Sequence, residues 1–355
     1  MEKINYLYPA NNQNTDIMMK QLLLALSMAG LMCACSGTDP NALPVAQNPT
    51  VDTESFDKVF QVTESHVVDE LHSMIVLKDG EIVYQRYDTG HNPDELHVLW
   101  SASKTFTATA IGFAVQDGLL SVDDKVVSFF DPQLFHQEPS DSLKSMTVKH
   151  LLTMSSGFNG DYISDTRALI LQNPTEKTLN TPLHFMPGER FQYNSMNTYL
   201  LSAIITKVTG RKLEDYLAEK LFTPLGIKQH IWQESAEGVN SGGWGLYLQS
   251  ESLAKMGQFM LDKGKWKGKQ LLNSAWFDEA MSVQIKEGQS GSHDWTAGYG
   301  YQMWKCELPA YRIDGAWGQF VIVIPEKNAV VAITAHANNT QGILDAVWEH
   351  VYPKL

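Results

Sequence analysis

The chain predicts a mixed fold, α/β plus all-α. One sheet is built from both ends of the sequence, flanked by helices, and interrupted by a helical insertion. Two observations predict it. Short segments rich in β-branched and aromatic residues cluster near both ends, and helical patterning fills the middle from about residue 117 to 235. A third bounds the size: 355 residues, 43% hydrophobic and 19% charged, suit one large domain or two intimately joined ones.

Residues 1–35 read as an export signal, with Met18 or Met19 as the true start. Lys20 precedes an almost uncharged run over 21–34, too short to span a bilayer as a mature helix. The run ends in Met32-Cys33-Ala34-Cys35, which resembles a bacterial lipoprotein box and makes Cys35 the expected lipidation site. Plain secretion is the alternative, because Met32 fits that box less well than leucine. Residues 36–55, rich in Pro, Asn, Thr and Asp, read as a flexible tether, and 56–355 as the folded domain.

The folded part opens with two apolar runs, 74–77 and 82–84, on either side of Asp79-Gly80, a hairpin signal. An uncharged helical stretch follows over 105–115. Helices are expected at 148–154 and 199–208, with breaks at Gly157, Pro182, Pro187-Gly188, Gly210 and Pro224-Leu225-Gly226. Another is expected at 253–261. Strands then return at 299–304, 320–324 and 330–334, with a turn at 325–328, before a final helix over 340–351.

The formal net charge of −13, without basic clusters, argues against nucleic acid as a partner. Outside the first 35 residues Cys306 stands alone, so no internal disulfide can form, and no Cys/His pair shows zinc spacing. His91 and His97 bracket a loop rather than one helix face and read as ordinary surface or core histidines. No metal and no cofactor is expected.

The chemistry is concentrated in Leu99-Trp100-Ser101-Ala102-Ser103-Lys104. Residues three apart on a helix share a face, so the Ser101 hydroxyl and the Lys104 amine can meet. A serine needs a neighbouring base to become a nucleophile, and a buried lysine can be that base. The spacing alone is weak: Ser55/Lys58 and Ser252/Lys255 repeat it, among charged neighbours that suggest solvated segments. A capping serine followed by an exposed lysine would give the same pattern.

Two further segments add to it. In Tyr193-Asn194-Ser195, at a loop-to-helix junction, a phenol can approach the lysine and move protons, although by residue type alone a half-buried tyrosine beside a helix cap is the better reading. In Asp314-Gly315-Ala316-Trp317-Gly318, a backbone N–H near a glycine can join that of Ser101 in holding an oxyanion. A tight glycine turn is the plain alternative. Trp100, Tyr162, Trp244 and Trp317 are aromatic candidates for an acyl pocket, with Trp317 the one expected near substrate.

These segments, in this order, resemble the β-lactamase-like serine hydrolases. The closer likeness is to the class C β-lactamase-related group that includes esterases, D-aminopeptidases and 6-aminohexanoate-oligomer hydrolases. The resemblance runs from about residue 66 to the end. It includes Thr147-Val148-Lys149-His150-Leu151-Leu152-Thr153-Met154-Ser155-Ser156-Gly157, Pro187-Gly188 ahead of Tyr193, Pro224-Leu225-Gly226-Ile227, Gly242-Gly243-Trp244-Gly245-Leu246 and Gly298-Tyr299-Gly300-Tyr301. It implies a β-lactamase/transpeptidase-like fold, with an antiparallel sheet beside a helical domain and the site in the cleft between. It makes Ser101 the acylated nucleophile, Lys104 its proton acceptor and Tyr193 the second proton-transfer group. Ser101 and Ala316 would supply the oxyanion-hole N–H groups, and Ser195, Gly315 and Trp317 are candidate substrate contacts. No cofactor is implied.

Two departures shape the expectation. The tyrosine motif ends in Ser195 rather than asparagine, as in the aminohexanoate-oligomer hydrolases. The basic position that penicillin-recognising members carry on their last site strand falls on Ile313, and Arg312 would point to the other face. Without that cation a substrate carboxylate binds less well, so β-lactam hydrolysis is expected to be inefficient. The leading expectation is an exported serine hydrolase of the bacterial periplasm or outer surface, cleaving a small ester or amide. Membrane contact would come only through a lipid on Cys35. The alternatives are a β-lactamase or penicillin-binding D-Ala peptidase, and a non-catalytic surface lipoprotein that binds a ligand. There is no Gly-x-Ser-x-Gly to support an α/β-hydrolase.

Overall fold

Asp79 and Gly80, with φ of 54° and 83°, turn the chain between strands β1 (Glu70–Lys78) and β2 (Glu81–Tyr87). Both central residues lie in the left-handed region, as a two-residue hairpin requires. In this computed structural model, residues 39–64, 70–160, 165–286 and 293–355 are described. The expected export signal, Cys35 and Tyr162 lie outside them. Residues 41–355 form one compact unit.

Four later strands complete the main sheet: β3 (Trp304–Lys305), β4 (Tyr311–Gly315), β5 (Gln319–Ile324) and β6 (Ala329–His336). The order is β2-β1-β6-β5-β4-β3, antiparallel throughout, so the two ends of the chain meet at the β1–β6 pair. Alternation divides the faces. Leu71, Met74, Val76, Phe320, Ile322, Val331 and Ile333 pack with helices α1 (Lys58–Glu64) and α5 (Thr340–His350). Ile75, Leu77, Ile313, Val321, Val323 and Val330 pack toward α2 (Ser103–Gln116) and α4 (Ser250–Leu261).

The middle of the chain is helical as expected, and α3 (Ser195–Thr209) lies against α2. The buried helix α2 carries threonines, and their hydroxyls are satisfied. Thr105 donates to the Gln302 carbonyl at 2.7 Å and Thr107 to that of Gly242 at 2.8 Å. Beside it sits a three-stranded sheet that the sequence reading missed, made from His97–Val98, Leu246–Leu248 and His230–Trp232.

Two expectations change. Residues 299–304 do not form one strand, because Gln302 takes φ of 59° and breaks the extended run; Tyr299 instead bridges Ile285 and Trp304. The tether is docked over its described part from residue 41. The Pro44 carbonyl accepts from Ile82 N at 2.7 Å, Ala46 N donates to Ile82 O at 3.0 Å, and Leu43 and Val51 are buried. Two apolar anchors in a polar stretch suffice to hold it down.

Candidate active site

Ser101 sits in a single 3-10 turn, Trp100–Ala102, that feeds directly into α2. Trp100 has φ of 49°, a left-handed conformation rare for a bulky residue. Such a backbone persists only where its surroundings fix it. Here Leu99 N donates to Leu246 O at 2.8 Å, and Ala102 N closes the turn on Leu99 O at 3.0 Å. The result leaves Ser101 partly exposed while the next thirteen residues turn into the core.

Lys104, one turn on, is 1% exposed. Its Nζ lies 3.1 Å from Ser101 Oγ, 3.2 Å from Ser195 Oγ and 2.8 Å from the Gly243 carbonyl. The same nitrogen is 5.0 Å from the centroid of the Tyr193 ring. An ammonium has three N–H donors, and these three acceptors match them. A neutral amine has two, and then one hydroxyl must turn round and donate to the nitrogen. The carbonyl cannot reverse, so the switch falls on Ser101 or Ser195. That is the geometry of a base poised to take a hydroxyl proton.

Tyr193 and Ser195 reach this point from the start of α3. Asn194 is its N-cap: the side-chain oxygen accepts from Met196 N at 2.8 Å, and the amide donates to Gly160 O. The cap fixes the loop, and Tyr193 packs among aromatic neighbours. Its ring stacks on Trp304 at 6.0 Å and 19°, and meets Tyr299 edge-on at 6.4 Å.

The end of β4 closes the site from the sheet side. A Cβ on Gly315 would lie 2.2 Å from the Leu99 carbonyl oxygen, so only glycine lets this strand approach the Ser101 turn so closely. The following turn, with Trp317 at φ of 64°, is held by Gln319, whose amide donates to Ala335 O at 2.5 Å and Ala316 O at 3.3 Å. Ala316 thus stands on a fixed turn next to the Ser101 turn. Trp317 is partly exposed and stacks on His336 at 4.7 Å and 8°.

Ile313 is fully buried in the core on the α2 side of the sheet, and so presents no cation to the site. Arg312 points to the opposite face, as the alternation predicts. It is fully buried, with Nε 2.7 Å from Asp314 Oδ2 and Nη1 2.6 Å from the Asp294 carbonyl. Its guanidinium lies 4.5 Å from the centroid of a Trp295 ring. Burial pushes the Asp314 carboxyl up, against the pull of Arg312 beside it.

Of the other candidates, Trp244 belongs to the core: it is 2% exposed and stacks on Tyr199 at 6.2 Å. Trp100 is partly exposed beside Ser101. The Ser252/Lys255 repeat lies on α4 and, contrary to the sequence reading, is buried; the Lys255 amine is 3.2 Å from Glu251 Oε1. Sequence reasoning missed the Gly243 carbonyl, Trp304 and the Arg312–Asp314 pair as parts of this region. The Gly242-Gly243-Trp244-Gly245 run was a signal for the first; the others carried none.

The family described as Beta-lactamase matches residues 68–351. Protein flp of Staphylococcus aureus is 29% identical over 192 residues, 51% of this chain and 38% of its own length. A protein of Escherichia coli provisionally named a D-alanyl-D-alanine carboxypeptidase is 25% identical over 258 residues, 62% of this chain and 57% of its own. The match therefore spans less than two thirds of either relative. Among solved structures, a Bacillus anthracis protein provisionally named a 6-aminohexanoate-dimer hydrolase superposes with a TM-score of 0.72 at 18% identity. That superposition covers 99% of this chain and 97% of the other.

Proposed function

We propose, on the premise that this chain belongs to the β-lactamase family of serine hydrolases, that it cleaves a small ester or amide through an acyl-enzyme on Ser101. The observation that carries the proposal is the position of Lys104 Nζ within hydrogen-bond reach of both Ser101 Oγ and Ser195 Oγ.

In the first half-reaction Ser101 Oγ attacks the substrate carbonyl carbon and its proton passes to neutral Lys104. The carbonyl oxygen takes up negative charge facing the backbone N–H groups of Ser101 and Ala316. The C–O or C–N bond then breaks, and the leaving group receives a proton from Lys104, directly or through Tyr193 or Ser195. In the second half a water gives its proton to the same base and attacks the ester, which releases the acid and restores the Ser101 hydroxyl. No cofactor enters the sequence. The buried Ile313 in the basic position supports substrates without a carboxylate at that place and argues against efficient β-lactam turnover. Export, with a lipid on Cys35, is part of the proposal and rests on residues 18–37 of the sequence.

The test is intact-protein mass after separate exposure of wild type and Ser101→Ala to a fluorophosphonate and to a penicillin. A phosphonyl adduct on wild type alone, together with loss of p-nitrophenyl ester turnover in the variant, is the expected result. A stable penicilloyl adduct would favour a penicillin-recognising peptidase. No adduct with either reagent would overturn catalysis in favour of a binding role.

A further inference from the structure

A second cluster of reactive side chains lies on β1 and in the loop that follows β2. His72 on β1 and His91 in the loop after β2 stack with ring centroids 3.9 Å apart and planes 20° from parallel. Glu70, also on β1, faces both: its Oε2 is 3.8 Å from His72 Nε2 and 3.9 Å from His91 Nε2. These three ligand atoms all lie within 4.8 Å of one another. Around a tetrahedral ion with bonds near 2.1 Å, ligand atoms stand about 3.4 Å apart. To meet that spacing the exposed Glu70 side chain closes by about half an ångström, and the two stacked rings splay so that their in-plane Nε2 lone pairs converge on one point.

The surrounding residues set the tautomers such a site needs. His91 Nδ1 is 2.8 Å from Glu95 Oε2, so the carboxylate takes its N–H and leaves the Nε2 lone pair toward Glu70. His72 Nδ1 is 3.3 Å from His97 Nδ1. If His72 donates there, its Nε2 lone pair also faces Glu70, and the His97 proton must sit on Nε2. That nitrogen is buried, on a residue 6% exposed, and has no hydrogen-bond partner; it points at Glu95 Oε2 from 3.8 Å. A buried ring nitrogen without a partner is costly whether it carries a proton or a lone pair, and this one lies beside three ligand-type groups.

We propose that Glu70, His72 and His91 bind one divalent transition-metal ion of the zinc class, with Glu95 and His97 as the outer partners that orient the two imidazoles. Two imidazoles and a carboxylate are a borderline-ion donor set, with a fourth position left to water. Bound metal would tie β1 to the loop that runs through His97 into the Ser101 turn. This inference stands apart from the proposed hydrolysis, and it departs from the reading of His91 and His97 as ordinary histidines.

The test is calorimetric titration of untagged, chelator-stripped full-length protein with zinc chloride, repeated with cobalt(II) while the visible d–d absorption is recorded. Expected are one equivalent of zinc per chain at micromolar affinity or tighter and a tetrahedral cobalt spectrum. Expected too is a loss of at least about tenfold in affinity in His91→Ala and in Glu70→Gln. Glu70→Gln changes an exposed group and guards against a folding failure in His91→Ala. Catalytic failure would leave the titration untouched, so the two proposals fail separately. Absence of saturable binding, or equal affinity in wild type and both variants, would overturn the site.

Discussion

Two Ser-x-x-Lys segments in this chain bury their lysines, Ser101/Lys104 at the entry to α2 and Ser252/Lys255 at the start of α4. Their spacing is identical and their surroundings are not. Ser252 lies inside a regular helix, and Lys255 meets the carboxylate of Glu251. Ser101 lies in a turn before its helix, lifted out by the left-handed Trp100, and Lys104 meets two hydroxyls and a carbonyl. A carboxylate beside an amine favours the ammonium, whereas a hydroxyl can accept from an ammonium or donate to an amine. The partner of the amine, rather than the motif, decides whether a buried lysine can act as a base.

Exchanging the two lysines tests that comparison most severely. Lys104→Arg keeps a cation of similar reach but cannot give up its proton at neutral pH. We expect kcat/KM for a p-nitrophenyl ester to fall by about 100- to 10,000-fold, the usual worth of a general base. Lys255→Met should leave that rate within about twofold and change stability by about 1 kcal/mol or less, since the Glu251 carboxylate left behind is 36% exposed and water can take over its solvation. Equal losses in the two variants would mean that the amine at 104 serves packing alone.

Arg312, another buried basic residue, sharpens the contrast through stability. It lies one residue from the position where penicillin-recognising members carry a base, yet it is held by Asp314 and the Asp294 carbonyl on the other face of β4. Arg312→Met leaves Asp314 inside without its partner, which costs about 3–5 kcal/mol for a broken buried pair. Urea unfolding measures it, and Arg312→Met combined with Asp314→Asn should recover part of the loss. A cost under about 1 kcal/mol would instead mark Arg312 as available to a substrate anion.

How much of this was legible follows from the range of each interaction. Ser101 and Lys104 are three residues apart, so local geometry exposes them, and strand alternation correctly turned Arg312 away from Ile313. Tyr193 and the Gly315 turn needed the ordered set of motifs. The Gly243 carbonyl reaches Lys104 from 139 positions away, and the glycine run around it marks a tight backbone without naming its partner. His72, His91 and His97 gather only because the β1–β2 hairpin folds back and the following loop returns beneath it. Residues 299–304 look like a strand by composition, and a single left-handed backbone at Gln302 undoes it.

The smallest expected effect separates a helix cap from the catalytic machinery. Thr147 caps the helix Val148–Leu152, its Oγ1 accepting from His150 N at 3.4 Å while its own N–H donates to His150 Nδ1 at 3.1 Å. That second bond needs a neutral imidazole, because a protonated ring has no acceptor. Burial, then the charges of Lys125 and Lys149, hold the His150 pKa below its ordinary 6.5. A group whose folded pKa is depressed gives stability that is present above its unfolded pKa and is lost as pH falls through the folded one. His150→Gln keeps an acceptor at the third position of the capping box but does not titrate. From about pH 8 to about pH 5, wild type should therefore lose about 1 kcal/mol more unfolding free energy than His150→Gln. Other titrating groups cancel in that difference, and parallel pH profiles for the two proteins would show that the His150 ring does not need to be neutral to hold the cap.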